Sequence, residues 1–309
     1  MEPSISRKTF SNRESLDKLI HAVDLITRGN TTQRQMTAIP GLWFNRREKP
    51  TELHNIMHQA SVCVILQGAK EVHLKQDVYK YDDSQFLMTP IDLPVQARVS
   101  KSSAEKPFLD MVLSIDRDAI IQMMLDSKYF PSKETSTTRG MVTIPLTDRI
   151  VDAFWRLVEL LETPEDISGL APLIHKEILY RIMSSDGGHS IRQIGLVGSR
   201  SHQISNAIDL LKKNYDQPLS IDELASSAGM SRSTLHQHFK ELTAMSPLQY
   251  QKWIRLNEAR KLMFTYKVDA ATASYKVGYE SPSQFSREYR RHFGMSPIAD
   301  IKHLNQAAN

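Results

Sequence analysis

Apolar residues change their spacing twice along the chain: helical at the start, alternating in the middle, helical again to the end. Between residues 11 and 27, Leu16, Leu19, Ile20, Val23 and Ile26 form one stripe at helical spacing. Ser11 and Glu14 stand at capping-box spacing, so this stretch reads as a helix. From Met36 to Ile115 the runs SVCVILQG, KEVHLKQ, VYKYDD, SQFLMTP, VQARVS and FLDMVLSI are short, alternating or β-branched. Turn-like GAK, DDS, PIDLP and SAEKP separate them. So many short strands in ~80 residues predict a small barrel or jelly roll.

Helical spacing then returns. Asp116 can cap a helix carrying Ile120, Ile121, Met124 and Leu125. The stretch 148–162 places Ile150, Val151, Phe154, Leu157, Val158 and Leu161 on one face, suited either to packing on the strands or to a seam between two copies. Another helix is expected from Pro172 to Met183. SSDGGHS (184–190) reads as a Ser/Gly break, and a helix over 203–215 follows it. The expected organisation is a β-rich domain over 1–185, a connector over 186–202 and an all-α domain over 203–309.

The all-α region contains an internal repeat. LASSAGMSRSTLHQHFKELTAMSP (224–247) returns as ASYKVGYESPSQFSREYRRHFGMSP (273–297). Gly229 matches Gly278, Leu235 matches Phe285, Phe239 matches Tyr289, and Met-Ser-Pro closes both copies. Each copy reads as a helix-turn-helix. A short helix ends at a glycine that tolerates the left-handed turn, and Ser231 or Ser281 caps the next helix. Leu235 and Phe239, or Phe285 and Tyr289, mark the core side of that second helix. The opposite side is polar: Arg232, Ser233, His236, Gln237 and Lys240 in one copy, and Ser283, Gln284, Ser286, Arg287, Arg290 and Arg291 in the other. Such side chains hydrogen-bond base edges and phosphates. Pro247 opens a joining helix, LQYQKWIRLNEARKLMF. A helix of ~18 residues is ~27 Å long, which sets the two polar faces near ~34 Å apart, one turn of B-DNA.

Charge adds to this picture. Between Arg200 and Asn309 there are 15 Lys and Arg against 10 Asp and Glu, leaving 24 against 25 elsewhere, so the chain's excess of +4 resides in the last third. A polyanionic partner, double-stranded DNA, fits that asymmetry.

At these residues the chain resembles the AraC/XylS family of transcription regulators. RLNEARKLM followed by VGYESPSQFSREYRRHFGMSP looks like that family's C-terminal signature, over roughly 203–303. SVCVILQGAKEVHL and DLPVQARV are similar to one branch of its N-terminal effector domains. The resemblance implies an α+β architecture, with an N-terminal cupin-like β-barrel used for effector binding and often dimerisation. By position it implies base-facing roles for Ser233, His236 and Gln237, and for Ser283, Gln284 and Arg287. Ser274 stands where the family usually has Ala, a change expected to be tolerated. The resulting expectation is an effector-responsive activator, or a repressor of the same kind, that acts as a homodimer and contacts RNA polymerase. Its effector is a small molecule.

Other features carry less. Cys63 is the one cysteine, which excludes an internal disulfide, and in an apolar run it reads as a small buried hydrophobe. His54, His58 and His73 lack a His-X-His pair or nearby Glu to complete a cupin-type metal set, so no metal or cofactor is expected. Trp43, Phe44, Tyr79, Tyr81 and Phe86 are candidates for effector contact, or core. No Ser/His/Asp set, phosphate loop or dinucleotide fingerprint supports an enzyme. A cupin enzyme with a basic tail and an architectural DNA binder are the remaining alternatives. With no apolar run near ~20 residues and no signal-peptide core, a cytoplasmic location without a membrane partner is expected.

Overall fold

The computed structural model describes residues 12–30, 34–126, 140–196 and 198–308. It divides into two compact units. The first comprises Met1–His54, His58–Ile91 and Gln96–Gly195; the second comprises Asn55–Met57, Asp92–Val95 and Leu196–Asn309.

The described residues hold ten strands, all in the first unit except Asn55–Met57 of β3 and the start of β8: β1 (Gln35–Met36), β2 (Leu42–Arg47), β3 (His54–His58), β4 (Ser61–Gln67), β5 (Ala69–Leu74), β6 (Asp77–Asp82), β7 (Gln85–Thr89), β8 (Leu93–Lys101), β9 (Phe108–Ser114) and β10 (Val142–Pro145). They form a six-stranded sheet in the order β1-β2-β9-β4-β7-β10 and a four-stranded sheet in the order β3-β8-β5-β6. The strand-rich expectation is thus met by an unclosed, jelly-roll-like pair of sheets rather than one closed barrel. GAK is not a turn as a whole. Gly68 alone makes the break (φ +93°), and Ala69 and Lys70 already belong to β5. A Cβ on Gly68 would lie 2.5 Å from the Lys101 carbonyl oxygen, so glycine is needed where the chain passes from one sheet to the other.

β4 is buried along both faces because both are covered. One covering element is α1 (Asn12–Thr27), which contacts β2, β4 and β9. Leu19, Val23 and Thr27 of α1 are buried, whereas Ile26, expected in the stripe, is exposed. Ser11, half of the expected capping box, lies outside the described residues. α2 (Arg117–Asp126) begins as expected, with the Asp116 carboxylate accepting the amides of Asp118 and Ala119 at 2.9 and 3.2 Å. Its Ile120 and Met124 are buried, but Leu125 is exposed.

α3 (Asp148–Glu159) buries Ile150, Val151, Phe154, Leu157 and Val158, and it packs on α1 and α4 (Ile167–Met183). That face is consumed inside the unit and is not available as a seam. α4 starts five residues before the expected Pro172, which sits inside the helix. The Ser/Gly break is a tight reversal and not part of a linker: a Cβ on Gly188 would meet the Ile182 carbonyl oxygen at 2.2 Å. α5 (His189–Gly195) follows, buries Ile191 and Ile194 and packs on α2. Residues 186–195, expected as connector, therefore belong to the first unit.

From Leu196 onward the second unit is helical: α6 (Arg200–Lys213), α7 (Ile221–Ser227), α8 (Arg232–Thr243), α9 (Pro247–Thr265), α10 (Ala270–Lys276), α11 (Pro282–Phe293) and α12 (Pro297–Ala308). α6 opens three residues earlier than expected, where the Ser199 hydroxyl caps the His202 amide at 3.1 Å. No helix among the described residues is long and apolar enough to cross a membrane.

Candidate nucleic-acid interface

Each copy of the repeat folds as two helices around a glycine. In the first, α7 ends near Gly229 (φ +62°) and Ser231 caps α8 by accepting the Thr234 amide at 3.3 Å. In the second, α10 ends near Gly278 (φ +86°) and Ser281 caps α11 by accepting the Gln284 amide at 3.3 Å. Leu235, Phe239, Phe285 and Tyr289 are fully buried. Aromatic edges fasten them: Phe239 meets Tyr250 with ring centres 5.4 Å apart, and Phe285 lies 5.3 Å from Tyr279 and 5.4 Å from Tyr289. Ser274, buried where an alanine was expected, satisfies its hydroxyl on the Ala271 carbonyl at 2.7 Å.

With those faces inside, the polar faces stand outside. Arg232, Ser233, His236, Gln237 and Lys240 of α8 are all exposed, as are Ser283, Gln284, Ser286, Arg287, Arg290 and Arg291 of α11. The two faces differ electrically. On α8, Arg232 makes a two-pronged contact with Asp222 of α7, and Gln237 donates to Glu241 at 2.9 Å. On α11, Arg287, Arg290 and Arg291 have no carboxylate partner among the described residues. The second face offers more uncommitted positive charge.

α9 holds both motifs in one frame. Ser246 and Gln249 form a reciprocal capping box at its start. From its middle, Arg255 donates to the carbonyls of Tyr215, Gly278 and Gln217 at 2.6, 2.8 and 2.8 Å. It thereby ties the loop before α7 to the turn before α11. Burial lowers the Arg255 pKa without approaching neutrality. Further along, Arg260 grips Asp300 of α12 with two bonds of 2.7 Å, and Asp300 accepts the Tyr289 hydroxyl at 2.6 Å. Lys252 reaches Glu288 of α11 at 2.8 Å, and Tyr279 donates to the same carboxylate at 2.9 Å. Burial works against the Glu288 carboxylate, but these bonds outweigh it and hold its pKa below the usual value. Of these residues the sequence pattern singled out Tyr289, as core, and gave no positioning role to Lys252, Arg255, Arg260, Glu288 or Asp300. Arg255 and Arg260 lie inside RLNEARKLM, where charges recurring in the joining helix were the available signal.

In the first unit, Phe44, Phe86, Tyr81 and Trp43 are buried and Tyr79 is half-buried. None of these five candidates for effector contact lines the cavity of about 590 Å³ among Pro40, Leu113, Ile167, Ala171, His175 and Leu179. Phe44 faces the α1 side of the six-stranded sheet with Arg46, whose guanidinium pairs with Asp24. Trp43 and Tyr81 border a polar cluster between the two sheets. There Lys70 and Asp110 are 3.4 Å apart, Asn45 donates to Asp110 at 2.6 Å, and the Tyr81 hydroxyl lies 3.4 Å from the Cys63 sulfur. Cys63 is fully buried, and burial together with the Asp110 charge pushes its thiol up to about 12.

Comparison with known proteins follows the same division. Residues 38–190 match the model of the AraC-type transcriptional regulator N-terminus, and residues 224–302 match a helix-turn-helix domain model. The HTH-type transcriptional regulator ArgR of Pseudomonas aeruginosa is 30% identical over 132 residues, 42% of this chain and 40% of that protein. The HTH-type transcriptional activator RhaS of Escherichia coli is 27% identical over 142 residues, 46% of this chain and 51% of that protein. The chain thus spans about half or less of the length of these curated relatives. Among solved structures, ToxT from Vibrio cholerae has a TM-score of 0.58 at 13% identity, covering 84% of this chain and 98% of that one. A second ToxT structure, with unsaturated fatty acid bound, has a TM-score of 0.56 at 10% identity, covering 88% and 96%. At those identities the likeness is one of fold.

Proposed function

The chain belongs to the AraC/XylS family of transcription regulators, and on that premise we propose that it is a sequence-specific DNA-binding regulator, an activator, switched by a small-molecule effector. The observation that carries this reading is the pair of exposed polar faces on α8 and α11, both referenced to one helix through Arg255. Two such faces on one rigid scaffold suit two successive major grooves on one side of the duplex. Ser233, His236, Gln237, Ser283, Gln284 and Arg287 read base edges. Arg232, Lys240, Ser286 and Arg290 hold phosphates, and Arg232 must exchange Asp222 for a phosphate to do so. The protein is not an enzyme and acts in the cytoplasm, where it contacts RNA polymerase.

The first unit supplies the switch. The fatty acid described in ToxT supports a small-molecule effector for this fold. A ligand that prefers one arrangement of the chain shifts the population toward it. The same unit supplies the homodimer contact. With α3 buried, α4 carries a cluster of exposed apolar side chains: Leu170, Leu173 and Tyr180 are 46%, 61% and 59% exposed. A second copy covering them would bring four recognition helices to paired half-sites and raise local concentration.

The test selects binding sites from random duplexes with the full chain, then follows transcription from the selected site in a reporter. Enrichment of a defined motif that raises transcription is expected. Failure to enrich any motif overturns the reading. Leu173→Glu, compared by sedimentation, is expected to give a monomer that keeps the half-site motif.

A further inference from the structure

We propose that the cavity along α4 of the first unit, outside the two sheets, is a ligand site, and that its ligand is an uncharged, mainly apolar molecule carrying a hydroxyl group. This rests on the reading of that unit as the effector domain.

α4 carries two neighbouring rows at four-residue spacing. Ile167, Ala171, His175 and Leu179 form one, and Ser168, Pro172 and Lys176 form the next. Both rows line the cavity of about 590 Å³, a volume within the range of small-molecule sites. The first row is its floor: Ile167, Ala171 and Leu179 are buried and His175 is half-buried. The second row is its rim, with all three residues exposed. Pro40, Leu113, Ser114 and Asp116 supply the facing wall. That wall is held in place by the chain itself. The Ser114 amide donates to the Gly41 carbonyl at 2.8 Å, and the Asp116 carboxylate caps α2 through the Asp118 and Ala119 amides. A ligand entering a preformed wall has little ordering to offset.

Two polar groups in this apolar setting lack the bonds such groups ordinarily make. The His175 Nε2 is buried with no hydrogen-bond partner among the described residues. Burial holds the His175 pKa below its usual value, against the pull of the Asp116 charge, so the ring is neutral at pH 7. A neutral imidazole nitrogen donates or accepts according to its tautomer. The second group is on the backbone. Pro172 sits inside the helix without an N–H, so the Ser168 carbonyl lacks the donor that the residue four positions on ordinarily supplies. The cavity thus presents one oxygen that can only accept and one ring nitrogen that can do either.

Charge at the edge cancels. Asp116 and Lys176 contribute one of each sign, and both are exposed. No net field draws an ion in, and the apolar floor of Ile167, Ala171 and Leu179 disfavours one. A hydroxyl suits both polar groups, because it donates and accepts. An ether of the same shape leaves the Ser168 carbonyl without a donor.

The experiment is fluorescence titration of the full chain with 2-naphthol. Its counterpart without the O–H is 2-methoxynaphthalene, and its charged counterpart is 2-naphthoate. 2-Naphthol is expected to bind about tenfold more tightly than either. His175→Phe keeps a ring and removes the nitrogen. Pro172→Ala restores the N–H and pairs the Ser168 carbonyl within the helix. Each is expected to weaken 2-naphthol about tenfold and to leave 2-methoxynaphthalene unchanged. Both substitutions remove an unpaired group, so the melting temperature of the free protein is expected to hold or rise, which separates lost binding from lost folding. No binding of 2-naphthol, equal affinity for the three probes, tighter binding of 2-naphthoate, or 2-naphthol affinity unchanged in either variant would overturn the proposal. Site selection on random duplexes with the same preparation separates failure of this site from failure of the regulator reading. A chain that still selects its motif but shows no preference for 2-naphthol defeats only this inference.

Discussion

The Arg255 guanidinium donates to the Gly278 carbonyl at 2.8 Å, and through that bond the joining helix sets the turn that presents the second recognition helix. Its other two bonds end on Tyr215 and Gln217, in the loop before the first motif. One side chain therefore fixes both motifs.

Arg255→Ala removes three charge-assisted donors and strands three carbonyls. A loss of about 2–3 kcal/mol in stability of the second unit is expected. Arg255→Lys recovers little, because one ammonium lacks the planar fork. Where the variant still folds, affinity for the full two-groove site should fall more than affinity for a site truncated to one groove. Denaturant titration and DNA titration onto both sites check this. Equal losses on the two sites would show that Arg255 does not set the spacing.

Two glycine-type positions should respond in opposite directions. Gly278 has φ +86°, and a Cβ there would sit 1.9 Å from the Asp216 carbonyl oxygen. Gly278→Ala is expected to cost about 3 kcal/mol or more, since both strain and a backbone clash apply. At the end of α8, Ala244 adopts φ +72° where the second copy has Gly294 at +81°. Ala244→Gly should therefore stabilise by about 0.5–1 kcal/mol. Melting midpoints of the two variants decide; a destabilised Ala244→Gly would show that its methyl packs better than its backbone suffers.

Arg287→Ala should relax base preference, with a loss of about 1–3 kcal/mol at the cognate site and little on random DNA. Lys240→Ala should weaken all sequences alike and reduce the dependence of affinity on salt. Competition binding at two salt concentrations distinguishes them. If Arg287→Ala loses equally on both DNAs, it is a phosphate contact.

Stability should fall as pH drops below about 6.5. Burial, aided by the Lys70 charge, lowers His58 to about 3. The unfolded chain takes up a proton near pH 6.5 and the folded one does not, so the stabilisation is complete above that pH and is lost on the way down toward 3. One such group gives about 1.4 kcal/mol per pH unit, or about 2 kcal/mol between pH 6.5 and 5. Burial shifts His175 and His292 in the same direction. Urea midpoints at pH 7.5 and 5.0 should differ, and His58→Gln should narrow the difference. A slope unchanged by His58→Gln would place the protonating group elsewhere.

Cys63, with its thiol raised to about 12 inside the sheets, should resist alkylation in the folded protein and react only on unfolding. Cys63→Ser should keep the response and lose some stability. Rapid labelling of native protein would make it a sensor.

The repeat is where the sequence spoke most clearly. Leu235, Phe239, Phe285 and Tyr289 recur at the period of a helix, so the core side and hence the polar side of each recognition helix follow from local spacing alone. The cap and turn residues are likewise local: Ser231, Ser281, Gly229 and Gly278 act on backbone within a few residues. The same locality explains α3, whose apolar stripe could be read off directly. What that stripe packs against could not, because a helix face does not carry the identity of its partner; α1 and α4 cover it. Nor could the role of Arg255 or the pairing of Arg260 with Asp300, 40 residues away. Such bonds join groups distant in sequence, and no periodicity marks them. The polar interior beside Trp43 is the sharpest case. Cys63 and Asp110 sit in apolar strand runs and Lys70 in a mixed one, and only the pairing of strands and the meeting of two sheets brings their side chains together.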